Sequence, residues 1–208
     1  MGGRGASSSV GKAGGGNVTV LSTDSLISQR EGNRAEVDQT LGVLRDIHDR
    51  YGIDVEDAQL ARLSAADAGV MAYYDANGNL AVNMAYFNSD IMNATYDKSV
   101  ADGYHPGKGN KTGMEAVVAH EMGHRLTDAA AGGWSGLDST ADKIVAEAAK
   151  KLGYKNTASL TSKVSGYAKQ NSAEAVAEAF ADVYCNGNKA SKASRAIVAE
   201  LNKYFGIN

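Results

Sequence analysis

The chain is short of the residues that build covalent and cysteine-based frameworks. It has a single cysteine, Cys185, so it forms no internal disulfide and a four-cysteine zinc site is excluded. Any metal it holds must therefore use His, Asp or Glu. It has one proline, Pro106, and only four histidines. The net charge is −3, with no basic run or basic face, which argues against nucleic acid as a partner. No apolar run approaches the length needed to span a bilayer. The N-terminus also lacks the apolar core of a secretory signal, because VTVLST at 18–23 is too short and too polar.

What is present points to one domain with an arm. The chain has 208 residues, 43% of them hydrophobic, enough for a sizeable core. Many of its 24 glycines cluster in MGGRGASSSVGKAGGGN. That stretch has almost no apolar mass to offset its ordering entropy, so residues 1–17 read as a flexible arm and residues 18–208 as the domain. ASSSVGKA imitates a phosphate-binding loop, but Ala13 stands where Ser or Thr should reach magnesium, and no strand precedes it.

Hydrophobic spacing predicts a helix over 33–51, closed by Gly52, with His48 as an ordinary helix-face residue near its C-terminus. Residues 69–75 and 80–87 read as strands joined by ANGN, a hairpin turned at Asn77-Gly78. Asp75, Asn77 and Asn79 imitate a calcium loop, but Leu80 occupies the position that needs glycine. Residues 88–112 are polar and weakly periodic, and His105 within them reads as an exposed loop histidine, with a role near the site as the open alternative. Further helices are expected over 113–130 (ended by Gly132-Gly133), 139–152, 172–184 and 190–205, with a turn-rich connection over 153–170. A small sheet followed by many helices is an α+β order.

The segment VVAHEMGHRL, 117–126, holds two of the four histidines. His120 and His124 lie one helical turn apart and project from one face, as two corners of a zinc tetrahedron require. Glu121 is rotated by about 100° around the helix, so it leans over a metal-bound water instead of sharing the ligand direction. Val117, Val118, Met122 and Leu126 make the segment a buried helix, where histidines and a glutamate need partners. A third ligand must come from elsewhere. The longer form of the motif fails, since Ala130 stands where its third histidine would be. NSAEAVAEAFADVY, 171–184, offers Glu174, Glu178 and Asp182 at one-turn spacing with no base among them. Spacing leaves two assignments open. Either Glu174 ligates and Glu178 orients a histidine, or Glu178 ligates and Asp182 orients. Asn171-x-x-Glu174 is also a capping-box pattern.

HEMGHRLTD and YAKQNSAEAVAEAF resemble the zincin metallopeptidases, in particular the family of the anthrax lethal factor catalytic domain and related toxin- and phage-encoded zincins. The resemblance covers roughly residues 111–205. It implies a zincin-like α+β fold with Glu174 as third ligand, Glu178 as the carboxylate behind the ligands and Tyr167 as a hydroxyl donor to the oxyanion. It also implies that the strand 80–87 is the edge on which an extended substrate lies. The interval from His124 to Glu174 is a few residues longer here, and the toxin's uptake and docking domains have no counterpart, so its substrate preference is not carried over. The opening MGGRGASSS resembles the starts of phage-encoded proteins.

The expected function is a zinc-dependent endopeptidase acting on a protein or peptide. One Zn²⁺ per chain is held by His120, His124 and Glu174, with Glu121 as general base. The other reading is a non-catalytic protein, such as a phage particle component or toxin-associated domain, that keeps zinc for stability. The localisation is left open, with the expectation of a cytoplasmic site or of carriage by a phage particle or other delivery system, as no export signal is read.

Overall fold

A computed structural model describes residues 18–207. The arm expected over 1–17 lies outside the described residues. The architecture is α+β, with seven α-helices and one four-stranded mixed sheet among the described residues. The strands are β1 (Val20–Ser25), β2 (Ala58–Leu63), β3 (Ala72–Tyr74) and β4 (Leu80–Asn83), in the spatial order β1-β2-β4-β3. β2 runs parallel to β4, and the two outer pairs are antiparallel.

The hairpin of the sequence reading is β3–β4, but its turn differs. The Gly78 N–H donates to the Asp75 carbonyl, so Ala76 and Asn77 are the central residues and Gly78 follows at φ +87°. The Asp75 carboxylate accepts from the Asn77 and Asn79 backbone N–H groups and takes the loop's slack. The edge expectation needs correction. β4 is an inner strand, because β2 pairs with its far side. The edge is β3. The Met71 carbonyl accepts from the Asn83 N–H and the Asp75 N–H donates to the Asn79 carbonyl, so odd-numbered residues bond to β4. The backbone groups of Ala72 and Tyr74 therefore point off the sheet.

Two strands had no sequence signal. In β2 only Leu60 and Ala61 are buried, so AQLARL does not alternate cleanly, and β1 is exposed throughout. The helices were more legible: α1 (Arg34–Tyr51), α3 (Gly113–Ala131), α4 (Leu137–Lys151), α6 (Ser172–Asn186) and α7 (Lys192–Asn202) fall close to their expected spans. The short α5 (Thr157–Thr161) lies in the turn-rich connection. α2 (Ser89–Ala101) was missed inside 88–112, since only Met92, Tyr96 and Ser99 are buried along it and its apolar stripe is thin. Gly52 and Gly132 end α1 and α3 in the left-handed conformation, as glycine after a helix should.

One core joins the sheet to the helices. Leu60, Leu80 and Val82 face it from the strands, Val37 and Ile47 from α1, and Val118, Met122 and Leu126 from α3. None of the described helices is long and apolar enough to cross a membrane.

Candidate metal centre

α3 is fixed at its start by a reciprocal capping box. Thr112 Oγ1 accepts from the Glu115 N–H, and the Glu115 carboxylate accepts from the Thr112 N–H. The helix is buried over almost its whole length, and α6 crosses it closely. Gly123, the residue between Met122 and His124, makes that crossing possible. A Cβ there would lie 2.7 Å from the Ala177 Cα and 3.2 Å from the Phe180 Cβ. Alanines at 173, 175, 177, 179 and 181 keep α6 equally slim. Small residues on both helices let the α6 carboxylates reach the α3 imidazoles.

The result is a triangle of donor atoms. His120 Nε2 and His124 Nε2 are 3.2 Å apart, and Glu174 Oε2 lies 3.2 Å from the first and 3.3 Å from the second. A tetrahedral ion with N and O ligands at about 2.0–2.1 Å spaces its ligand atoms about 3.3–3.4 Å apart. The three residues are at most 3% exposed, and this buried group could hold a metal ion. Protons alone suit the arrangement badly: two Nε2–H groups aimed at one oxygen would crowd each other, whereas three lone pairs converging on a cation attract it. His, His and Glu also form a donor set that a borderline-soft divalent ion accepts.

Behind the triangle lies Glu178, 1% exposed. Its Oε1 sits 2.8 Å from His120 Nδ1 and 2.9 Å from His105 Nδ1, and its Oε2 accepts from Ser165 Oγ at 2.7 Å. His105 therefore corrects the sequence reading. It is 5% exposed, not an exposed loop histidine, and its ring stacks on Tyr96. Ser165 gave no sequence signal, because a lone serine in a turn-rich segment looks like any other. His48 is exposed on α1 with Nδ1 3.0 Å from Asp54, as expected of a surface histidine.

The alternatives left by spacing separate here. Asp182 is buried, but its carboxylate accepts from Asn186 Nδ2 and the Ser191 N–H, which ties α6 to the start of α7. Glu174 lies in the triangle, while its backbone N–H donates to the Asn171 side chain at 2.8 Å. The cap and the contact with both imidazoles coexist, since one uses the backbone and the other the carboxylate.

Glu121 is fully buried, and its charge acts on both His120 and Tyr167. The Tyr167 ring lies 5.9 Å from the His120 ring. Burial raises the Tyr167 phenol first, and the charges of Glu174 and Glu121 add to this, so it remains a protonated donor at neutral pH. Burial by itself would lower the His120 pKa, but the Glu174 and Glu178 carboxylates outweigh it and raise it well above the usual value. Burial would likewise raise both carboxyls. The imidazoles of His124 and His120 instead hold Glu174 far below the usual range, and His105 and His120 bring Glu178 down to about 2. A further tie runs from the sheet edge: the Tyr74 hydroxyl donates to Asp128 Oδ2 at 2.7 Å, fastening β3 to α3 one turn beyond His124.

The site's class is thus a buried His-His-Glu group with a carboxylate behind one histidine. No family model matches the chain, and no curated protein and no solved structure is significantly similar to it.

Proposed function

We propose that the chain is a zinc-dependent endopeptidase of zincin type, with His120, His124 and Glu174 as the zinc ligands. The observation that carries this reading is the donor triangle with edges of 3.2, 3.2 and 3.3 Å, drawn from two residues of an HExxH helix and one carboxylate of a second helix. His120, His124 and Glu174 would hold the zinc, which would supply Lewis acidity and bring the pKa of a water to about 7. Glu121 takes the proton from the attacking water and passes it to the leaving amine. Tyr167, kept protonated, donates its hydroxyl to the carbonyl oxygen as that oxygen gains charge. The β3 edge, which Tyr74 ties to α3, is covered, since Ala72 and Tyr74 are at most 1% exposed, so no extended substrate is assigned to it.

A second reading keeps the metal and drops the catalysis. It is favoured by enclosure: His120, Glu121, His124, Tyr167 and Glu174 are all at most 3% exposed. A structural or interaction protein would want its zinc sealed in this way. The buried Glu121 and Tyr167 favour the enzyme, because a purely structural site needs neither.

The deciding experiment joins the metal-to-protein ratio of purified chain to a proteome-derived peptide-library digest, run with chelator and after zinc is restored. About one zinc per chain with chelator-sensitive, zinc-restored cleavage supports the peptidase. Metal-loaded, folded and inert protein supports the structural reading, and a chain that binds no zinc removes both. Glu121→Gln is expected to keep zinc and fold while lowering turnover by about 10²-fold or more. A fully active variant would take Glu121 out of the mechanism.

A further inference from the structure

We propose that His105 is a positioning residue of the metal centre: by donating from Nδ1 to Glu178, it fixes the carboxylate that sets the tautomer and direction of His120. The inference rests on the metal reading above and adds a residue to it from a loop that the HExxH pattern does not include.

Glu178 fixes the proton inventory of the cluster. Glu178 Oε1 is 2.9 Å from His105 Nδ1 and 2.8 Å from His120 Nδ1. A carboxylate that is ionised at neutral pH has no proton to give, so both rings must carry theirs on Nδ1. In neutral His120 this leaves the Nε2 lone pair directed at His124 Nε2 and Glu174 Oε2, the tautomer a metal ligand needs. His124 Nδ1 has no hydrogen-bond partner among the described residues, so a carboxylate orients only His120 of the pair. The rigidity of Glu178 is therefore the rigidity of the ligand.

Among the described residues, three donors grip Glu178: His120, Ser165 and His105. His120 is the group being oriented, and Ser165 holds only Oε2. His105 alone holds Oε1 from outside the ligand set, and its own position is strongly determined. Its ring lies parallel to Tyr96 at 5.4 Å with an interplanar angle of 6°. The Tyr96 hydroxyl donates to the Pro106 carbonyl at 3.0 Å. The preceding strand of loop is stapled to the Tyr167 segment by two backbone hydrogen bonds of 2.9 Å, Gly166 N–H to the Gly103 carbonyl and Tyr167 N–H to the Tyr104 carbonyl. A Cβ on Gly166 would lie 2.8 Å from that Gly103 oxygen, so the close crossing requires glycine. A flexible loop histidine filling space would need none of this scaffolding.

The test compares three substitutions in the full chain. His105→Phe keeps an aromatic ring for Tyr96 and removes the donor. His105→Asn keeps an N–H close to the Nδ1 position, and His105→Gln carries one at the Nε2 position instead. Two measurements are made: the zinc dissociation constant, by competition with a chromophoric chelator, and the His120 Nδ1–H signal of the metal-free protein, by nitrogen-15 imidazole spectra. His105→Phe is expected to weaken zinc by about 10–100-fold and to broaden or abolish the His120 Nδ1–H signal. His105→Asn should restore most of both, and His105→Gln should not. Unchanged zinc affinity in His105→Phe, or equal affinities for the Asn and Gln variants, overturns the proposal. The Asn and Gln pair keeps the comparison valid should the Phe variant misfold. A parent chain that binds no zinc would sink the metal reading instead. The His120 Nδ1–H signal then decides this one, its loss in His105→Phe supporting the clamp and its persistence overturning it.

Discussion

At the residue scale the centre is governed by where protons sit. Glu178, held down to about 2, and His120, raised well above 6.5, favour opposite ends of the pH range in the metal-free chain. The folded pKa of His120 exceeds its ordinary value, so its contribution to stability is complete below about pH 6.5 and fades as pH rises through the folded value. The folded pKa of Glu178 lies below its ordinary 4.5, so its contribution is complete above about pH 4.5 and fades as pH falls towards 2. Metal-free protein should therefore be most stable between about pH 4.5 and 6.5. Zinc requires neutral imidazoles and should move the stable range upward. Urea midpoints across pH, with zinc and with chelator, check both statements. A flat profile without metal would mean that the buried network carries no net charge coupling.

At the element scale the centre is a crossing of two helices thin enough to touch. Gly123 meets Ala177 and Phe180 across α3 and α6, with no room for even a methyl group. Gly123→Ala is expected to cost about 1–3 kcal/mol of stability by overpacking. It should also weaken zinc binding, because separating the helices lengthens the reach of Glu174 to both imidazoles. Denaturation of the metal-free variant and a zinc titration measure the two effects separately. A variant matching the parent in both would show that the crossing relaxes without moving the ligands. Met122 and Leu126 bury the opposite side of α3 in the core. The same helix therefore anchors the fold and carries the site, and site substitutions must be separated from folding defects by measuring both.

Across the whole molecule, a metal at this centre would join α3 to α6, elements about fifty residues apart in sequence. An ion that binds the folded chain alone stabilises it by about 2.7 kcal/mol at a free concentration of 100 times its dissociation constant. For a domain of this size that corresponds to a melting shift of about 5–10 °C. Melting curves with zinc and with chelator should differ by that amount, and identical curves would mean that no metal is held by the native state. Enclosure acts at the same scale. Because the ligands and Glu121 are almost wholly buried, zinc exchange should be slow, and chelator should strip metal over hours at neutral pH but faster in mild urea.

Sequence alone determined how α3 displays its polar side chains. Two histidines at one-turn spacing, with a glutamate after the first, must share a helix face wherever that helix forms, and Val118, Met122 and Leu126 require the helix to be buried. It also determined most helix ends, through local signals such as Gly52 and Gly132. Tertiary structure decided whatever depends on distant segments meeting. Only the α3–α6 crossing separates Glu174 from Asp182, since both lie on the same apolar helix with the same spacing to Glu178. Only the sheet order makes β3 the edge and β4 an inner strand, because a hairpin pattern does not reveal which of its strands finds a third partner. Only the packing of the 103–106 loop against Tyr96 and the Tyr167 segment brings His105 to Glu178. A polar, glycine-bearing stretch carries no periodicity, and its burial is dictated by the partners that close over it.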